Sequence, residues 1–168
     1  MKHISIFILF LILFTTSAVW GQTENTWRDP KGNYTLTYPE GYETRVDPKD
    51  GSLNLFHSST ASTINFLQLA EKVPFKNLPI IEKNTVKRFE SKRYTILART
   101  QEKFQGNPGF RIDLRKKRKG PVVRLEVHVF FWKTAVYMFM GIWREDSYTA
   151  QREEDLQKIM GSLRFTGR

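Results

Sequence analysis

The chain has 168 residues, no cysteine, and 27 Lys and Arg against 17 Asp and Glu, a formal charge of +10 at neutral pH. The missing thiols exclude a disulfide framework, a cysteine nucleophile and a lipid-modified N-terminal cysteine, and leave stability to the hydrophobic core. Aromatic residues, 14% of the chain, supply that core, and the basic balance favours anionic partners or surfaces.

Met1-Lys2-His3 precede a nearly unbroken apolar run, Ile4 to Phe14, and Thr15-Thr16-Ser17 lead into Ala18-Val19-Trp20-Gly21. A basic start, a short hydrophobic region and a small-residue exit form the layout of a secretory signal. Val19 and Gly21 suit the positions three and one before a cut. The sequence therefore predicts a signal peptide over residues 1–21 and one exported domain, periplasmic or secreted, over residues 22–168. A retained anchor would want roughly 20 apolar residues, and no later segment approaches that, so no transmembrane segment is expected in the mature chain. A domain of about 150 residues buries roughly 68–70% of its unfolded surface, enough to fold without staples.

Gln22 to Asn33 is polar and punctuated by Gly and Pro, and reads as a short arm. Tyr34 to Tyr38 is rich in strand-forming residues and is stopped by Pro39-Glu40-Gly41. Tyr42 to Val46 makes a second short strand, Asp47 to Gly51 a loop, and Ser52 to His57 and Ile64 to Val73 two more strands. Leu53, Leu55, Ile64, Phe66 and Leu69 are the core candidates there. Asn77-Leu78-Pro79 offers a capping side chain and a first-turn proline. From Pro79 to about Lys92, Leu78, Ile81, Val86 and Phe89 share one side of a helix.

Tyr94 to Phe104 alternates, and Gly106-Asn107-Pro108-Gly109 turns it into the stretch around which the chain is organised, Pro108 to Trp143. Phe110, Ile112 and Leu114 oppose Arg111, Asp113 and Arg115, the period of a half-buried strand. Val123 to Phe131 alternates against Arg124, Glu126, His128, Phe130 and Trp132. Ala135 to Trp143 is apolar on both faces, so it wants cover on both. Lys119-Gly120-Pro121 and Lys133-Thr134 are the predicted turns. A last helix begins near Ser147 or Thr149, with Glu153, Glu154 and Asp155 early, Lys158 late and Gly161 just beyond its end. Tyr148, Leu156, Ile159, Met160 and Leu163 form its apolar face. The fold class is α+β: an antiparallel sheet with helices packed on both faces.

This order, with Tyr34–Tyr42, Gly106–Phe110 and the closing Ser162–Phe165, resembles the PsbP-like family, named for the extrinsic photosystem II protein. The resemblance covers about Trp27 to Phe165. It implies an α/β/α sandwich, shared with a Ran-binding nuclear import factor, and a binding or accessory role without chemistry. No residue matches a known photosystem or Ran contact.

Arg115-Lys116-Lys117-Arg118-Lys119 is the sharpest functional candidate. Five cations at a hairpin tip lie in solvent or meet anions, so the run suits an anionic envelope component or another macromolecular partner. A solvated turn that keeps a sheet edge from aggregating is its more ordinary role. Base-stacking aromatics are not interleaved with it, so sequence-specific nucleic acid is not expected. Phe130, Trp132, Tyr137, Phe139 and Trp143 are candidates to line a sheet–helix cavity for a small apolar ligand; packing a core is what such rings ordinarily do.

Glu126 and His128 share a strand face, as a potential acid–base pair or a partial metal site, but two ligands are too few for zinc. A packed, hydrogen-bonded histidine is the plainer reading. His57-Ser58-Ser59 places hydroxyls beside an imidazole without a G-x-S-x-G elbow. Asp47, Asp50 and Gly51 hint at a calcium loop that Pro48 spoils. Gly106 to Gly109 has the composition of an anion nest but reads as a turn. Asn33-Tyr34-Thr35 matches a glycosylation acceptor. The sequence thus predicts no catalytic residue, metal or cofactor. It predicts an exported, non-enzymatic binding domain, with an apolar-ligand carrier as alternative and a hydrolase using His57 or His128 behind it.

Overall fold

The computed structural model describes residues 24–116 and 121–166. The expected signal peptide and the hairpin-tip residues Lys117, Arg118, Lys119 and Gly120 lie outside them. The described chain is α+β, built from two antiparallel sheets and two helices.

Strand β1 (Glu24–Arg28), β2 (Tyr34–Pro39) and the two-residue β10 (Arg164–Phe165) form the small sheet, with β2 central. The predicted N-terminal arm is therefore partly a strand. Its side chains are polar and mostly exposed, so it carries no alternating signal; backbone pairing with β2 and the Trp27 ring, 5.3 Å from Tyr34, hold it.

The large sheet comprises β3 (Tyr42–Val46), β4 (Leu53–His57), β5 (Ser62–Ala70), β6 (Thr95–Phe104), β7 (Asn107–Lys116), β8 (Val123–Trp132) and β9 (Ala135–Arg144). Their spatial order is β3-β4-β5-β9-β8-β7-β6. Tight turns join β6 to β7 and β8 to β9. Gln105 and Gly106, with φ of 48° and 81°, make the β6–β7 turn between the paired Phe104 and Asn107. That double positive φ is the type I′ geometry that matches strand twist. The predicted turn Gly106–Gly109 is thus displaced: Asn107, Pro108 and Gly109 already belong to β7. Lys133 and Thr134 form the β8–β9 turn as expected.

The apolar-on-both-faces strand is covered on both faces. Tyr137, Phe139 and Trp143 of β9 face helix α2 (Ala150–Ser162) and the small sheet. Val136, Met138, Met140 and Ile142 face the side of helix α1 (Leu78–Ser91). The alternations in β7 and β8 resolve likewise: Phe110, Ile112, Leu114, Val127 and Val129 pack under α1, while Phe130 joins the α2 side. Leu53, Leu55, Ile64 and Phe66 are buried on the α2 side, whereas Leu69, of the opposite parity on β5, shares the α1 side with Leu67.

The helix ends differ from expectation. Asn77 holds the cap position of α1 but its side chain makes no capping bond; a single 3-10 turn, Phe75–Asn77, precedes the helix. Gly161 lies inside α2. The end is capped by Arg164, whose Nη1 donates to the carbonyls of Gly161 (2.7 Å) and Leu163 (2.8 Å). Ser162 Oγ donates to Thr37 O (3.0 Å) and accepts from Thr37 N (2.8 Å), pinning α2 to β2.

Two glycines test this packing in opposite directions. A Cβ at Gly109 would lie 2.2 Å from the Val129 carbonyl oxygen, backbone that cannot swing aside. A Cβ at Gly161 would meet nothing within 4 Å, on a helical backbone. Gly109→Ala is expected to lose about 1–3 kcal/mol by overpacking, and Gly161→Ala to gain roughly 0.5–1 kcal/mol. Urea midpoints that moved in the same direction would overturn one of the two assignments.

Candidate functional site

The predicted basic hairpin splits into unlike parts. Arg115, at the end of β7, is already partnered: its Nη2 donates to Glu145 Oε2 at 2.7 Å, and Arg124 Nε stands 3.2 Å from the same carboxylate. Lys116 places its ammonium 4.6 Å from the centre of the Tyr94 ring, a cation–π contact. Lys117, Arg118 and Lys119, which continue the run, lie outside the described residues. The pairing of Thr95 with Arg115 adds something the sequence reading missed. It brings the exit of α1, Lys92-Arg93-Tyr94, to the same end of the sheet. Among the described residues neither Lys92 nor Arg93 has an ion-pair partner, and Arg93 sits at a positive φ of 63°.

The five aromatic candidates are packed against neighbours. Phe130 and Phe139 are wholly buried, Phe130 with its centroid 4.1 Å from Phe104 and Phe139 4.4 Å from Phe66. Trp132 stacks on Phe165 at 4.5 Å, and Tyr137 lies 4.8 Å from that same ring. Trp143 contacts Tyr148 and backs a different pocket, of about 210 Å³, with Arg111, Arg124 and Glu126. Trp132 and Tyr137 line another pocket, of about 330 Å³, with Lys133 and Phe165.

A larger cleft, of about 500 Å³, opens on the opposite face, between α1 and strands β5 and β9. Its floor is Leu67, Leu69, Met138 and Met140, and Ile81 and Arg88 of α1 and Lys92 just past its end stand along its wall. Alternation made these floor positions legible as apolar. It did not tell that α1 packs over β6 and β7, leaving the β5–β9 part of the face half-covered.

The Glu126–His128 pair belongs to a buried polar network. His128, 2% exposed, holds Glu102 Oε1 on Nδ1 and Glu126 Oε1 on Nε2, each at 2.7 Å. Glu102 comes from β6, reaching across β7 where its pairing partner is Gly109 and no side chain intervenes. Arg111 Nη1 stands 3.2 Å from Glu126 and its Nε donates to Asp113 at 2.8 Å; Gln157 of α2 donates to Glu126 at 3.2 Å. Burial alone pushes the His128 imidazolium toward neutrality, but the two carboxylates outweigh it and the pKa is raised above the ordinary histidine value. With both ring nitrogens donating, the ring has no lone pair to accept a proton from a substrate.

His57 is differently placed. Its Nδ1 is 3.1 Å from Ser59 Oγ, its ring meets Tyr42 edge-on, and burial with the Arg152 charge lowers its pKa. Among the described residues no carboxylate hydrogen-bonds its ring, so the serine–histidine contact lacks the third member that aligns a triad. In the Asp47–Gly51 loop, Asp47 and Asp50 accept the backbone N–H of Lys49 and Ser52 at 2.8 and 2.9 Å, Asx turns that use the carboxylates locally. Among the described residues no three His, Asp or Glu converge as metal ligands.

No family model and no curated protein sequence matches the chain. Solved structures do. The cyanobacterial PsbP, CyanoP, from Synechocystis sp. PCC 6803 superposes with a TM-score of 0.65 at 11% identity, over 91% of this chain and 98% of that one. The Ran-binding protein Mog1p of Saccharomyces cerevisiae gives 0.60 at 13% identity, over 85% and 95%. LpqN, involved in cell envelope biogenesis of Mycobacterium tuberculosis, gives 0.56 at 11%, over 88% and 92%. At such identities the likeness is one of fold, and it is the fold that the sequence resemblance implied.

Proposed function

We propose that this chain is an exported, non-enzymatic binding domain that engages an anionic partner, an envelope component or an acidic protein face, through the basic end of its large sheet. The observation that carries the reading is the antiparallel pairing of β6 with β7. It brings Arg93 and Lys116 to one end of the sheet, where the sequence continues into Lys117, Arg118 and Lys119, while the neighbouring carboxylates Glu145 and Asp146 are occupied by Arg115, Arg124 and Arg144. Cations left without carboxylates raise the local potential and favour anions. The saturated imidazole of His128 and the unoriented imidazole of His57 weigh against hydrolysis. Among the described residues no helix is long and apolar enough to cross a membrane. Export rests on the N-terminal sequence, and the fold is shared with a Ran-binding protein and with a protein of cell envelope biogenesis.

Cosedimentation of the expressed chain with phosphatidylglycerol vesicles and with a soluble polyanion tests it, at low and high salt. Each cation near an anionic surface contributes about 1 kcal/mol. Changing Arg93, Lys116, Lys117, Arg118 and Lys119 to Ser is therefore expected to weaken binding by more than about 100-fold at low salt. Wild-type binding should fall steeply on adding salt. Equal binding by both proteins, or binding indifferent to salt, would overturn the assignment.

A further inference from the structure

We infer that the cleft between α1 and strands β5 and β9 is a binding site for a single-chain amphiphile with an anionic head group. The inference sharpens the carrier alternative legible in the sequence, moves it to another face, and does not rest on the basic sheet end.

Three observations meet here. First, β9 is apolar on both faces, yet α1 covers only the β6–β7 side, so Leu67, Leu69, Met138 and Met140 remain half-exposed on a continuous apolar floor. Apolar floor with a polar rim, in a volume of about 500 Å³, is the ordinary character of a small-ligand pocket. Methionines add a side chain that reshapes to fit an alkyl group.

Second, the wall is graded lengthwise. Ile81, Asn84, Thr85 and Arg88 line the cleft in successive turns of α1, and Lys92 follows at its C-terminal cap. Ile80, one turn before Asn84, is 57% exposed and extends the apolar end. From Ile80 to Lys92 the helix rises about 18 Å, the scale of a medium alkyl chain. One end is thus aliphatic and the other carries one guanidinium and one ammonium group.

Third, the charge is asymmetric. Among the described residues Arg88 and Lys92 have no ion-pair partner. The acid on the rim, Asp50, accepts the Ser52 backbone N–H at 2.9 Å and keeps its charge, so the lining holds two cations against one carboxylate. An anionic head at the Lys92 end with an alkyl tail toward Ile81 satisfies both gradients; a cationic or purely polar ligand satisfies neither.

The probe is dodecyl phosphate below its micelle concentration, titrated into the expressed chain as the host processes it, with methionine methyl groups labelled for NMR. Met138 and Met140 line the cleft, whereas Met160 is buried on the opposite face and serves as internal reference. Saturable shifts of the Met138 and Met140 methyl signals with Met160 unmoved are expected. Arg88→Gln with Lys92→Gln should weaken dodecyl phosphate roughly tenfold and leave dodecyl maltoside unchanged, and Leu67→Gln should weaken both. Changing Arg93 and Lys116–Lys119 should leave this binding intact, which separates it from the basic-end reading. Movement of all three methyls together, equal affinity for dodecyltrimethylammonium, or dimerisation that buries Met138 and Met140 and excludes the probe would each overturn the inference.

Discussion

His128→Ala is expected to lower the unfolding free energy by about 3–5 kcal/mol, the usual loss when one partner of a buried ion pair is removed. The reason lies in what remains. Glu126, itself buried, would keep Arg111 at 3.2 Å and the Gln157 amide at 3.2 Å but lose the shorter bond from the imidazole, and Glu102 would lose its 2.7 Å partner. Against a total stability of about 5–15 kcal/mol, that is a large share, equivalent to roughly 10 °C in Tm.

The same network gives this protein an unusual pH dependence. The charged and polar groups around His128 are Glu102 from β6, Arg111 and Asp113 from β7, Glu126 beside it on β8, and Glu153 and Gln157 from α2, while its partner across the strand pair on β9, Phe139, is apolar. An unfolded histidine titrates near about 6.5, and folded His128 lies above that. The imidazolium's contribution is therefore fully present below about pH 6.5 and is lost as pH rises through the folded value. Urea titrations of wild type and His128→Gln should show the widest gap at about pH 6 and a narrower one at about pH 9. A gap constant over that range would mean that the ring acts by filling space and not by charge. Glu102→Gln, which keeps an acceptor and removes a charge, should shift the closing of the gap to lower pH.

That network also marks the limit of what the residues disclose in order. Glu126 and His128 are two apart on a clean alternation, so their shared face is legible from the sequence alone. Glu102 is 26 residues from His128, and the β6–β7 register that brings it there passes an irregularity at Ile96 to Ala98. Alternation does not announce such a shift, although it did set Leu97, 48% exposed, on the side of Thr95 and Arg99. The strands β7, β8 and β9 were readable because period two, tight turns and two-sided apolarity agree. β1 was not, because an edge strand of polar side chains is specified by its partner's backbone. The amphipathic face of α1 was readable, but its seat over β6 and β7 is a tertiary choice, and on that choice depend both the cleft and the placing of Lys92 and Arg93.

Phe66→Ala carries the largest expected loss from packing alone. Phe66 is 0% exposed on β5, and its ring joins the two sheets. Tyr34 of the small sheet meets it edge-on at 4.8 Å, Phe139 of the neighbouring strand lies at 4.4 Å, and Tyr137 stacks at 5.7 Å. Truncating a buried phenylalanine costs about 3–5 kcal/mol, and each aromatic pair adds roughly 0.5–1.5 kcal/mol beyond area, so the upper part of that range is expected. Leu97→Ala, at an exposed position, should stay within about 0.5 kcal/mol of wild type. Thermal unfolding of the two variants checks the contrast, and a small loss for Phe66→Ala would mean that the small sheet docks through other groups. The neighbouring residue, Leu67, points into the cleft on the other face. Below its unfolding transition, Phe66→Ala should therefore still bind dodecyl phosphate with wild-type affinity. If it does not, the two faces of β5 are coupled, and the cleft depends on the aromatic layer behind it.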